Sequence, residues 1–274
     1  MAGDIVVIAP SRGWQPLRLR LLWHFRELGY FFVWREIKVR YKQTLLGASW
    51  AILQPLLMTL VFTVVFGHWL HVGSGGSPYL VFSFSAMVPW AFLSQGLSQG
   101  SKSLTSGATL ISRVYFPRLL LPLGSVLSSL LDLAIATGLL LVLMPFYGYA
   151  PAAKALAFPL FLLLLLVTTL GAVFLLAAAN AQYRDVQYIT PFLTQLWFFA
   201  TPVVYSPTIV PHGLQAVVAL NPLVSVINGV RWMLLGGPSP FGTGFAVSVV
   251  TAVVLFLAGA FYFRRTERSF ADVL

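Results

Sequence analysis

Long apolar runs are the feature that most constrains the fold of this chain. Its 274 residues are 58% hydrophobic and only 9% charged, whereas a soluble domain is about 45–50% apolar and about 25% charged. Too few polar residues remain to cover a globule of this size, so the composition favours a polytopic membrane protein over a soluble fold. The runs lack the alternation of a transmembrane β-barrel. The spanning elements are therefore predicted to be helices, which satisfy their own backbone hydrogen bonds in lipid.

Six stretches reach the roughly 20 apolar residues that a helix needs to cross a bilayer. They lie at about 47–70, 79–100, 119–145, 155–180, 187–206 and 243–263. An even number of spans places both termini on one side. We therefore predict an all-α integral membrane protein with six transmembrane helices per protomer.

The distribution of Lys and Arg predicts which side the termini occupy. All of these bases except Lys154 and Arg231 fall in the terminal segments or in the connections on the same side of the membrane as the termini. Short loops rich in Lys and Arg remain cytoplasmic. We therefore expect a cytoplasmic segment at 1–46, a transmembrane domain at 47–263 and a cytoplasmic tail at 264–274. The formal charge of +10 follows from this placement and does not call for a nucleic-acid partner.

The segment before the first span has the pattern of an amphipathic helix lying in the membrane plane. Its polar side is formed by Arg20, His24, Glu27, Arg35, Lys38 and Lys42, and its apolar side by Leu22, Phe25, Phe32, Val33 and Ile37. Arg26 and Arg40 depart from this pattern, but both side chains are long enough to snorkel. The bases have two readings: a topology signal that also binds anionic lipids, or a face that borders a cytoplasmic partner.

The connection between spans two and three, LTSGATLISRVYFPRLLLP (104–122), predicts a short helix that ends near Pro117. It is too short to span and too apolar for a free loop. Its apolar residues are Leu110, Ile111, Val114, Tyr115 and Phe116, flanked by Lys102, Arg113 and Arg118. Such a patch docks onto something, either a partner or the protein's own cytoplasmic face and the lipid interface.

Residues 201–240 are apolar but are interrupted by prolines and by Gly236-Gly237. No unbroken 20-residue helix fits, whereas two short helices near 212–220 and 222–235 do. Non-helical backbone at membrane depth must be buried in protein or line a cavity. The pattern therefore predicts a re-entrant or interfacial hairpin, at about 207–235, on the outer side.

Catalytic and metal-binding groups are sparse. Asp132 is the one acid within a predicted span and has no evident basic partner in the sequence, so we expect it to face the interior of the bundle or dimer, paired with a hydroxyl or amide. His68 and His71 lack a third ligand nearby, so no metal site is expected. The chain has no cysteine and no G-x-x-x-x-G-K-[ST] phosphate loop. The sequence therefore does not indicate an enzyme.

Several stretches together resemble the permease subunit of polysaccharide-exporting ABC transporters, the type that serves O-antigen, capsule and teichoic acid. They are REIKVRYKQTLLGASWAILQPLL, LISRVYFPRLLLP, RDVQYITPFLTQLWFFATPVVY, LNPL and ERSFADVL. The resemblance runs from about residue 20 to the end. It implies a homodimer with two copies of a separate cytoplasmic ATPase, in the bacterial inner (cytoplasmic) membrane. It also implies that ATP and Mg²⁺ bind the ATPase and that this chain carries no cofactor.

The resemblance also assigns expected roles to residues. The helix at about 104–116 corresponds to the main coupling helix that contacts the ATPase, and Tyr183, Arg184 and Asp185 correspond to a second contact. The predicted coupling set is Leu110, Ile111, Arg113, Tyr115, Phe116, Pro117 and Arg118 with those three residues, and the interface-helix set is Arg35, Lys38, Arg40 and Lys42. Aromatic rings stack on pyranoses, which makes Trp50, Trp90, Trp197, Phe198, Phe199 and Tyr205, with Asp132, the candidate substrate path.

Two other functions remain open at the level of sequence. One is an ABC exporter permease of the same fold for a small hydrophobic drug or lipid, which would show an apolar lateral groove. An aromatic-lined continuous cavity would favour the lipid-linked polysaccharide instead. The other is a channel or membrane scaffold that works without an ATPase.

Overall fold

The computed structural model describes residues 19–42, 49–150, 153–268 and 270, and its regular elements are helices. Among the described residues, two short helices precede the first span: α1 (Leu19–His24) and α2 (Arg26–Tyr41). The longer helices are α3 (Trp50–Phe62, continued by a π-helix at Thr63–Trp69), α4 (Tyr79–Ser106), α6 (Leu120–Leu143), α7 (Phe158–Gln182) and α11 (Thr243–Thr266). The shorter ones are α5 (Ala108–Arg113), α8 (Val186–Phe199), α9 (His212–Ala219) and α10 (Pro222–Leu235).

In the part of the chain that the structure describes, five helical segments are long and apolar enough to cross a membrane. They are Trp50–Trp69, Tyr79–Ser106, Leu120–Tyr147, Ala153–Gln182 and Thr243–Thr266. These segments agree with the first four and the last of the six predicted spans. Helices α9 and α10 together pass the same test, but they meet at 92°. The sequence prediction of two short helices in this region is therefore confirmed.

The predicted continuous helix over 187–206 is wrong beyond Phe199. Helix α8 ends there, and residues 200–206 form an irregular stretch that we call the closure segment. Pro202 explains the ending, because a proline disfavours helical geometry in the residue before it. Thr201 and Val203 have no exposed surface and Val204 is 6% exposed. The protein therefore buries this non-helical backbone, as the membrane environment requires.

Helix α4 is the centre of the bundle and is buried along most of its length, packing against α3, α6, α7, α8 and α10. Helix α11 lies outside it, against α7. Their crossing is close because both helices have a glycine there: a Cβ added at Gly259 would lie 2.2 Å from the carbonyl oxygen of Gly171. Small residues commonly permit such close backbone contact between membrane helices.

Helix α2 packs along α6 through the apolar side that the sequence predicted. Phe32 is 2% exposed, and a Cβ added at Gly124 of α6 would lie 3.1 Å from the Cβ of Phe32. The rest of α2 carries bases and the exposed aromatic residues Tyr30, Phe31 and Trp34, and Trp23 of α1 is exposed as well. Because amphipathic aromatic rings are enriched at membrane interfaces, this composition fits a helix lying at the lipid headgroups.

Candidate functional site

A cavity of about 810 Å³ lies between α2, α3, α4, α6 and α8. Along α4 its lining runs from Met87 to Lys102, a rise of about 22 Å at 1.5 Å per residue. The hydrocarbon core of a bilayer is roughly 30 Å thick. The cavity therefore extends along most of the depth of the transmembrane bundle.

Aromatic rings form part of the cavity wall. Trp90 and Phe198 meet edge to face at 5.1 Å between ring centroids, and Phe62 stacks on Phe198 at 5.7 Å. Trp50 lines the cavity with half of its surface exposed, and Phe199 lies in the same wall. The structure thus brings four of the predicted path aromatics together at one cavity.

Uncharged polar side chains line the same cavity, and none of them was among the predicted site residues. The set is Gln54, Ser94, Gln95, Ser98, Ser101, Gln187, Thr190, Thr194 and Gln195. On α8, the lining residues at 187, 190, 191, 194, 195, 198 and 199 recur at intervals of three and one, which places them on one helix face. That spacing was the signal in the sequence from which the polar face of α8 could have been predicted. Amides and hydroxyls both donate and accept hydrogen bonds, so this face can bind a hydroxyl-rich ligand.

Two predicted path residues lie outside the cavity lining. The indole Nε1 of Trp197 donates a hydrogen bond to Oδ1 of Asn221 at 2.9 Å. The hydroxyl of Tyr205 donates to the carbonyl oxygen of Phe199 at 3.2 Å. Both side chains therefore fasten the end of α8 to neighbouring structure, and neither is brought to the cavity with the other predicted path residues. Trp197 is absent from the cavity lining because of its position on the helix: Trp197 and Phe198 are adjacent in sequence but point in different directions.

Asp132 does have a basic partner, contrary to the sequence reading. The Arg40 guanidinium and the Tyr41 hydroxyl, both at the end of α2, donate to its carboxylate. Arg40 also donates through Nη2 to Oγ of Ser128 at 3.3 Å. Arg40 and Asp132 are 92 positions apart, so no local pattern could reveal the pair. The predicted hydroxyl partner is present, but Arg40 points into the protein and does not snorkel outward.

These charged groups mark one end of the cavity. Arg40, Tyr41, Lys102 and Asp132 all contribute to its lining.

The other bases of the predicted interface set lie on α2 or directly after it. Arg35 pairs with Glu36 at 2.8 Å, Lys38 lies 5.2 Å from the centre of the Trp34 ring, and Lys42 is exposed.

The predicted coupling helix is shorter than expected, and part of it is buried. Residues 104–106 belong to α4, and α5 ends at Arg113. Ile111 and Phe116 are only 7% and 4% exposed, and the Phe116 ring meets that of Phe32 edge to face at 5.4 Å. Ile111, Phe116 and the buried Pro117 therefore contact the protein itself, and their predicted contact with an ATPase stays a prediction.

An exposed patch remains at this end of the bundle. Arg113, Val114 and Tyr115 are exposed, Leu110 is half-buried, and Arg118 donates to the backbone carbonyl of Glu267 beyond α11. Tyr183, Arg184 and Asp185, which connect α7 to α8, are also exposed.

The two predicted contact regions lie at the same end of the bundle. Nδ2 of Asn180, near the end of α7, donates to the carbonyl oxygen of Ser101, near the end of α4, at 2.9 Å. The ends of α4 and α7 are therefore neighbours. The α4–α6 and α7–α8 connections consequently present their exposed residues on one side of the protein.

Comparison with known proteins identifies the family. Residues 28–235 match the ABC-2 type transporter family. The chain is 32% identical over 256 residues to the O-antigen export system permease protein RfbA of Myxococcus xanthus, which covers 93% of this chain and 98% of that protein. A Klebsiella pneumoniae protein of the same name is 25% identical, over 90% of this chain and 97% of its own. The polysialic acid transport protein KpsM of Escherichia coli is 23% identical, over 85% and 91%. This chain belongs to the ABC-2 type transporter family.

Proposed function

We propose that this chain is the membrane permease of an ABC exporter that moves a lipid-linked polysaccharide out across the bacterial cytoplasmic membrane. The observation that carries the proposal is the long cavity lined by both aromatic rings and uncharged hydrogen-bonding side chains. The similarity to O-antigen and polysialic acid transport proteins supports the same substrate class.

The chemistry of the cavity wall suits a glycan. A pyranose has an apolar face, which an indole or phenyl ring such as that of Trp50 can cover, and a rim of hydroxyls. Amides such as those of Gln95 and Gln195 can donate to and accept from those hydroxyls. Away from the charged end, the polar lining is neutral, so successive sugars meet several weak contacts and no strong one. Weak, repeated contacts let a polymer advance.

The complex we propose is a homodimer with two copies of a cytoplasmic ATPase, with both termini of the permease in the cytoplasm. The exposed residues of the α4–α6 connection, with Tyr115 the largest, dock into the ATPase beside Tyr183–Asp185. Helix α4 runs from this connection along the cavity. A push at the connection therefore reaches the cavity wall through one continuous helix. In this orientation, α9 and α10 form a re-entrant hairpin on the outer side.

A permease for a small hydrophobic drug or lipid is less favoured. Such a substrate offers few partners for the glutamine, serine and threonine side chains in the cavity, and unpaired polar groups would oppose its binding.

Reconstitution tests the proposal. Proteoliposomes that contain the permease and its ATPase should move a lipid-linked polysaccharide only when ATP is supplied. Export without the ATPase would contradict the coupling and support an independent channel. ATP-driven movement of a hydrophobic dye but of no glycan would support the drug or lipid alternative.

A further inference from the structure

The closure segment borders the cavity at the end that lies away from Arg40 and Lys102. Val204 lines the cavity, and its carbonyl oxygen accepts a hydrogen bond from the hydroxyl of Tyr79 at 2.5 Å. Tyr79 is the first residue of α4, about 12 Å beyond Met87, where the cavity lining on α4 ends. The segment is therefore fastened to the first turn of α4, beyond that end of the cavity.

Arg231 of α10 binds the backbone of the same segment. Its Nη2 donates to the carbonyl oxygens of Val203 at 3.0 Å and of Phe82 at 3.5 Å. Its guanidinium carbon lies 3.6 Å from the centre of the Phe82 ring. The Arg231 residue is only 6% exposed. The carbonyls of Val203 and Val204 lie outside any helix, so Arg231 and Tyr79 supply hydrogen bonds that this backbone needs when buried.

The contacts of Arg231 suit release better than permanent attachment. Its Nε and Nη1 are buried and have no hydrogen-bond partner among the described residues. The ion pairs found in the described part of the chain involve other cations. A buried charge without a counter-ion is costly. Opening would therefore hydrate the guanidinium and the two carbonyls without breaking an ion pair.

We propose that Arg231 and Tyr79 are positioning residues that hold the closure segment across the outer end of the export path, and that export requires their release. This inference deepens the proposed function and depends on it for the nature of the cargo. Asn221 stays as the fixed anchor: its Nδ2 donates to Oγ1 of Thr201 at 2.8 Å, at the start of the segment.

The test uses the absence of cysteine from the sequence of this chain, so that Val204→Cys supplies the only thiol of each permease chain within the full complex. We expect Tyr79→Phe and Arg231→Met to raise its labelling rate by an impermeant maleimide from outside. The expected rise is roughly fivefold to a hundredfold, the effect of one lost buried hydrogen bond on a closed–open equilibrium. Passive leak of an encapsulated oligosaccharide without ATP should rise as well. Tyr149→Phe and Lys154→Met are matched controls at the same end: Tyr149 donates to Ser77 at 3.1 Å and Lys154 lies over Trp232.

Labelling and leak equal to those of the controls would overturn the proposal. If Arg231→Met fails to insert, Tyr79→Phe decides alone, and Arg231→Lys should restore closure at least in part.

A second arm bridges Tyr79→Cys and Val204→Cys with a short bis-methanethiosulfonate. Bridging should stop ATP-driven export and a reductant should restore it, whereas continued export by the bridged protein would overturn the need for release. If the unmodified complex exports no polysaccharide, the proposed function fails. The labelling experiment still decides whether Arg231 and Tyr79 hold the closure segment across the cavity.

Discussion

Removing the charge of Asp132 should detach α2 from the bundle at its C-terminal end. Asp132→Asn leaves the Arg40 guanidinium without its carboxylate, and breaking a buried ion pair in this way costs about 3–5 kcal/mol. Both side chains are 18% exposed, so we expect a value near the lower end. About 3 kcal/mol corresponds to a shift of roughly 100-fold between docked and undocked α2.

Hydrogen–deuterium exchange over residues 26–41 measures that shift directly. Asp132→Asn should increase exchange of the α2 amides from Lys38 to Tyr41 most, because Arg40 and Tyr41 are the residues that contact Asp132. ATP-driven export should fall as well, since Arg40 and Asp132 both line the cavity.

Two controls make the result specific. Asp185→Asn removes an exposed acid and should leave exchange unchanged. The double variant Arg40→Met/Asp132→Leu replaces the pair with apolar side chains, which is often neutral for buried pairs, and should restore protection. Unchanged exchange in Asp132→Asn, or no recovery in the double variant, would refute the view that this pair holds α2.

Three further predictions concern docking of the ATPase, the path of the substrate and the packing of the helices. Tyr115→Ala should lower the affinity for the ATPase in a pull-down without lowering the thermal stability of the permease. Phe116→Ala should instead cost about 3–5 kcal/mol of stability in a melting curve, because its ring is buried. Equal effects of the two variants in both assays would contradict the assignment of Tyr115 to docking and Phe116 to packing. Trp50→Ala should slow export about two- to tenfold at normal membrane levels, from a lost ring contact of about 0.5–1.5 kcal/mol; an unchanged rate would count against stacking. Gly259→Val should reduce the folded protein in detergent, because a Cβ there would lie 2.2 Å from a backbone oxygen of α7; Gly244→Ala, where the nearest atom is at 3.8 Å, is the control.

Features that depend on local sequence were predictable. Five spans in the described residues follow from long apolar runs, and the short helices α9 and α10 follow from the prolines at their starts. The end of α8 at Phe199 could also have been inferred, since Pro202 lies inside the predicted span. Composition alone favoured a longer helix there.

Features that depend on contacts between distant segments were not predictable. Arg40 meets Asp132 only because α2 lies along α6, and the same packing buries Phe116 under Phe32. Trp197 matched the expectation for a path aromatic by residue type, yet its helix face directs it to Asn221. In each case the residue type in the sequence was useful information, but the direction of the side chain could not be predicted from it.

Site-specific photo-cross-linking during export tests the central claim most directly. A benzoylphenylalanine at Gln195 faces the cavity, whereas one at Trp197, two residues along the same helix, lies outside the cavity lining. With the ATPase, ATP and a radiolabelled lipid-linked polysaccharide, the glycan should cross-link at position 195 and not at 197. Equal labelling of both positions, or none at 195 while export proceeds, would contradict a glycan path through this cavity.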